Sequence, residues 1–171
     1  MSTASAPAVR SAEYLEAAAG CAVTMTIWPL DPARPARHAR RLLRDHLAGR
    51  IGDSAVMEDV EVMASEVATN AGLYCPPPYE LRVVEHDGVP VAVEVADTGP
   101  GLDLVTANLA AGAIPKNPDE IGEAALGLGG WGLSIVARLS AGRCGARPTQ
   151  LKDYPNPGKS VWFAIPRSSA H

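Results

Sequence analysis

The sequence predicts an α+β domain: a two-layer sandwich whose mainly antiparallel, mixed sheet carries its helices on one face. Three observations lead there. The 171 residues are the size of one ordinary domain and can bury a real core. Asp87-Gly88 between two valine-rich runs is a strong hairpin signal, so strands adjacent in sequence pair. Stretches of helical and of alternating periodicity follow one another as βααββ, a long connection, then αββ, which fits helices gathered on one face of a hairpin-built sheet. The expected organisation is a mobile tail at 1–20 and a single domain at 21–167, with no internal repeat.

The elements follow in order. Residues 1–20 are Ala/Ser-rich, with a short helix expected at most over Ser11–Ala19. Val23, Met25 and Ile27 alternate with Thr24 and Thr26, a half-buried strand. Asp31-Pro32 reads as a helix cap with proline at the first helical position, opening a helix that runs to about Gly49 with Ala36, Ala39, Leu43 and Leu47 inward. Its other side carries Arg34, Arg37, Arg41 and Arg44, with Arg40 beside them. This is either a solvated face or a docking surface for an acidic partner. A second helix begins at Asp53 or Ser54 and reaches about Leu73, burying Val56, Val60, Met63 and Val67. Pro76-Pro77-Pro78 stops it. The hairpin strands are Tyr79–His86 and Val89–Asp97, with Val91, Val93 and Val95 on one face and Ala92, Glu94 and Ala96 on the other.

Leu102–Leu126 is long for a connection and is expected to be a lid, with a short helix capped by Asp103 and ending near Gly112. Gly130–Ala141 reads as a helix burying Leu133, Val136 and Leu139. Strands Arg143–Leu151 and Ser160–Ile165 complete the chain around a turn at Asn156-Pro157-Gly158.

Composition excludes several functions. A net charge of -4 makes no electrostatic case for nucleic acid. Cys21, Cys75 and Cys144 are scattered, without the spacing of a zinc site or a disulfide framework. No run approaches the ~18 apolar residues of a membrane span, and the start lacks a secretory pattern. A cytoplasmic protein with no membrane contact is expected. The four histidines, including His38, His46 and His86, show no ligand spacing.

Three segments carry chemistry. Glu66 and Asn70 lie four apart, so both project from one face of the second helix, at the border of its apolar stripe. The amide oxygen suits a magnesium ion otherwise held by phosphates, and the carboxylate can take a proton from an attacking hydroxyl or water. The plainer alternative is a local cap at Glu66 and a fraying helix end at Asn70. Asp97 ends the most apolar strand, where a carboxylate needs hydrogen-bond donors. Such a donor is the amine of adenine, with Gly99 and Gly101 leaving room for a planar base. A self-capping Asp-Thr-Gly turn is the alternative. Gly127, Gly129, Gly130 and Gly132 lead into a helix N-terminus, which favours phosphate; neither a Walker A loop nor a convincing Rossmann fingerprint is present. Lys159 reads either as a surface residue or as a phosphate contact.

In this order, Ser65–Ala71, Asp97–Gly101 and Gly127–Leu133 resemble the three ATP-binding boxes of the GHKL superfamily, which includes gyrase, Hsp90, histidine kinases and MutL. Its short anti-sigma-factor serine/threonine kinases are the nearest branch. The resemblance runs from about Val23 to Pro166 and implies the Bergerat, histidine kinase-like ATPase fold. It implies ATP and Mg2+ as ligands, Glu66 as the base and Asn70 as the metal ligand. It further assigns Asp97, Gly99 and Gly101 to the base, and Gly127, Gly129, Gly130, Gly132 and Leu133 to the phosphates under the lid. Two departures stand out: Gly72-Leu73 replaces a basic residue and histidine, and Trp131 occupies a position that is small or basic in many relatives. The implied function is an anti-sigma-factor kinase that phosphorylates an anti-anti-sigma protein, with that protein and a sigma factor as partners and a homodimer also allowed. A non-catalytic ATP-dependent binding module and a stand-alone histidine-kinase-like ATPase domain are the alternatives.

Overall fold

A computed structural model describes residues 20–112 and 130–167. The expected helix at Ser11–Ala19, Gly127, Gly129 and most of the lid lie outside these residues. The described elements are β1 (Val23–Pro29), α1 (Pro35–Leu47), α2 (Ser54–Tyr74), β2 (Glu80–His86), β3 (Val89–Asp97), α3 (Leu102–Gly112), α4 (Gly130–Leu139), β4 (Cys144–Gln150) and β5 (Pro157–Ala164). The strands form one sheet in the order β1-β2-β3-β5-β4, with every pairing antiparallel, so the parallel element of the expected mixed sheet is absent among the described residues.

The inner face of this sheet carries Leu81, Val83, Val93, Val95, Val161 and Phe163 into a core shared with all four helices. α1 contributes Ala39, Leu43 and Leu47; α2 contributes Val56, Val60, Met63 and Val67; α3 adds Leu109, and α4 adds Leu133 and Val136. Burial of alternating strand residues against helix stripes of period 3.6 is what the sequence pattern requires. The outer face is covered differently. Val23, Met25, Val91 and Trp162 pack around Val84 and Ala92. Beside them Glu94 is fully buried; Arg147 and Ser160 both donate to it, the serine at 2.8 Å.

Local chemistry explains where the expected boundaries hold and where they move. Asp53 caps α2 by accepting from the Ala55 and Val56 N–H groups at 2.9 and 3.5 Å. The hairpin turns at Asp87 and Gly88, both at positive φ (49° and 78°), as the two-residue turn demands. Asp31, in contrast, does not cap α1. Its side chain accepts from Ala33 N–H at 2.9 Å in a turn, and Pro35, not Pro32, opens the helix. Asp103 lies within the first turn of α3, whose first bond runs from Val105 N–H to the Gly101 carbonyl. Val91 leaves the Val93/Val95 row, because Ala92 pairs with Val84 while Pro90 pairs with Glu85, which makes Val91 the extra residue of a bulge. The final turn lies upstream of its expected place, since β5 already pairs at Pro157 with Gln150.

Candidate functional site

α2 forms the floor of the site. Glu66 and Asn70 are half-buried on it, about 6 Å apart along the axis by the rise of four helical residues. Glu66 lies against α4: a β-carbon placed on buried Gly132 would stand 2.5 Å from Glu66 Oε2. Glycine at 132 is thus what lets the carboxylate reach the N-terminal turn of that helix. Leu133 beside it is buried in the core. Asn70 makes no side-chain hydrogen bond among the described residues, so its amide is available.

The far end of α2 meets the loop after β3. Asp97 is buried, and Oδ1 accepts two hydrogen bonds, from the Gly99 N–H at 2.8 Å and from Lys159 Nζ at 2.6 Å. Oδ2 accepts none among the described residues. Gly99 packs on Cys75, whose sulfur occupies the space a side chain at 99 would need. Cys75 Sγ lies 3.3 Å from Lys159 Nζ. Burial, and then the negative charge of Asp97, push this thiol above its ordinary range. Tyr79 Oη donates to the Cys75 carbonyl at 2.6 Å within the α2–β2 connection, and Thr98 Oγ1 donates to the Pro76 carbonyl at 2.6 Å, pinning that connection to the loop. Gly101, at φ +92°, turns that loop into α3.

Lys159 is therefore not a surface residue. It is the cross-strand partner of Asp97 in the β3–β5 register and shares the inner face with Val161 and Phe163, which buries it to 6% exposure. Its ammonium is engaged at the Asp97 carboxylate. The sequence reading did not bring Cys75 or Lys159 to Asp97; the β3–β5 register is what pairs the lysine with the carboxylate.

Among the described residues no group of three His, Cys, Asp or Glu side chains could hold a metal unaided. A single amide such as Asn70 suits a magnesium ion whose other ligands are phosphate oxygens and water. A cavity of about 660 Å³ lies at the opposite end of the sheet, lined by Arg50, His86, Val91, Arg143, Trp162 and Arg167 among others, far from Asp97. On α1 the basic stripe divides. Arg44 pairs with Glu61 and Arg40 donates to Ser65 at 2.9 Å, while Arg37 and Arg41 remain exposed.

The family model for the histidine kinase-like ATPase domain matches residues 28–142, well over half of the chain, and spans Glu66, Asn70, Asp97 and Gly132. The chain belongs to this family. ATP is the ligand that a histidine kinase-like ATPase domain implies. A chain in the crystal structure of the SiaB–SiaC complex from Pseudomonas aeruginosa is similar in fold, with a TM-score of 0.55 and 15% identity, covering 82% of this chain and 88% of that one. No curated protein matches the sequence. No helix among the described residues is long and apolar enough to cross a membrane.

Proposed function

We propose that this ATPase domain binds ATP with magnesium between α2, β3, β5 and α4 and acts as a serine/threonine protein kinase of the anti-sigma-factor type. The observation that carries the nucleotide reading is Asp97: a buried carboxylate with one oxygen fixed by two donors; the other oxygen would accept from the amine of a base. Asn70 would hold the metal on the phosphate side. Glu66 would take the proton of an attacking serine or threonine hydroxyl while phosphate passes to its oxygen, a reaction in which positioning and charge neutralisation supply most of the catalysis. Gly127, Gly129, Gly130 and Gly132 would wrap the phosphates, with Leu133 beneath them. The lid at 102–126 would close over the site, and the single domain at 21–167 would carry all of it.

The partner would be a regulatory protein, an anti-anti-sigma protein or a sigma factor. Support comes from the similar fold found in a two-protein complex and from the exposed Arg37 and Arg41, which suit an acidic surface. Calorimetry on wild type and Asp97→Ala tests the reading. A hydrogen bond to a charged acceptor contributes roughly 1.5–3 kcal/mol, so the variant should lose about one to two decades of ATP affinity. GTP presents a carbonyl where adenine has its amine, so wild type should reject it. Equal ATP affinity in a folded Asp97→Ala protein would remove the assignment. ATP binding without phosphate transfer to any regulatory partner would favour a non-catalytic module.

A further inference from the structure

Lys159 sits in the interface between sheet and helices, where an ammonium is costly unless paired. Its three N–H bonds are only partly used. One reaches Asp97 Oδ1 at 2.6 Å and one faces the weak acceptor Cys75 Sγ at 3.3 Å, which leaves the third without an acceptor among the described residues. The Gly99 N–H shares the same Oδ1, so Oδ2 accepts from neither backbone nor lysine among the described residues and has a spare ammonium N–H beside it. An acceptor and a donor lying side by side match a planar edge that offers a donor next to an acceptor. Adenine has that edge, in its 6-amine and the adjacent unprotonated N1.

We propose that Lys159 reads the base together with Asp97: the adenine amine donates to Asp97 Oδ2 while the Lys159 ammonium donates to N1. The inference rests on the ATP reading above and adds a second recognition point to it. Guanine reverses both polarities, with an acceptor in place of the amine and an N–H in place of N1. Each half of the pair would then meet a group of its own kind, so selectivity against GTP is divided between two side chains on neighbouring strands.

The test compares ATP with 1-deaza-ATP, in which a C–H replaces N1, by calorimetry on the full chain and on Lys159→Met. Wild type should prefer ATP by about tenfold or more, the worth of one charge-assisted hydrogen bond. In Lys159→Met that preference should collapse towards unity. If the lysine only holds Asp97 in place, the variant will weaken both nucleotides alike and keep the preference, which overturns the proposal. Removing one charge of a buried pair can unfold a protein, so Lys159→Met/Asp97→Asn, without either charge, serves as the second variant; it too should show no preference. The wild-type comparison needs no variant, and equal affinity for the two nucleotides there overturns the lysine's role while leaving the ATP reading intact. Failure of the folded wild type to bind ATP at all overturns both.

Discussion

Glu66 and Gly132 show how much of this site depends on the absence of one carbon. The Glu66 carboxylate occupies the space a methyl group on Gly132 would fill, 2.5 Å from its position, while the rest of the Glu66 side chain stands back at 3.5 Å. The carboxylate is the free end of a flexible chain, so Gly132→Ala should displace it without breaking the α2–α4 contact. With Glu66 as base, Gly132→Ala and Glu66→Gln should then share a phenotype. Both proteins fold and, since the phosphates would meet the backbone N–H at 132 that alanine keeps, both bind ATP near the wild-type affinity; both transfer phosphate about 10²–10⁴-fold more slowly. Single-turnover transfer and nucleotide titration measure the two halves separately. A Gly132→Ala protein with wild-type turnover would mean that the carboxylate position is irrelevant to the chemistry.

At the level of elements, the end of α1 is tied to the sheet through one carboxylate. Arg50 donates to both oxygens of Glu85 at 2.8 Å, His46 contacts Oε1 at 2.8 Å, and Trp28 meets the His46 ring edge-on. The Arg50 guanidinium, with His46 adding to it, holds Glu85 below the usual carboxylate range against the opposing effect of burial. A carboxyl whose folded pKa is depressed stabilises the fold above its unfolded pKa and loses that contribution as pH falls through the folded one. Arg50→Met should therefore cost up to about 1.5–3 kcal/mol near neutrality, and the gap to wild type should narrow as pH drops through and below the ordinary carboxylate range. Denaturant melts across that range would expose the trend, and a gap independent of pH would rule out the charge as its source. What was legible in the sequence divides along the same line. The α2 cap at Asp53, the Asp87-Gly88 turn and the Glu66/Asn70 spacing depend on neighbours within a few residues, and the sequence pattern placed them. The start of α1, the Val91 bulge and the burial of Lys159 depend on which strand lies opposite or on a competing turn, and no local pattern encodes those.

For the molecule as a whole, the site gathers residues from α2, β3, β5 and α4, which come together only in the folded chain. A ligand that bridges them binds the native state alone and must stabilise all of it. At about a hundredfold excess over its dissociation constant ATP should add about 2.7 kcal/mol. For a chain of this length each kcal/mol raises Tm by about 2–4 °C, so a shift of about 5–10 °C is expected. GTP at equal concentration should give little, and Asp97→Ala should lose most of the ATP shift. The cavity at the other end of the sheet supplies the control, because Arg143 lines it and touches nothing at Asp97. Arg143→Ala should keep the full shift. Were the shift to survive in Asp97→Ala and vanish in Arg143→Ala, the nucleotide would belong to that arginine-lined cavity. The buried carboxylate with its lysine would then be a structural ion pair joining β3 to β5.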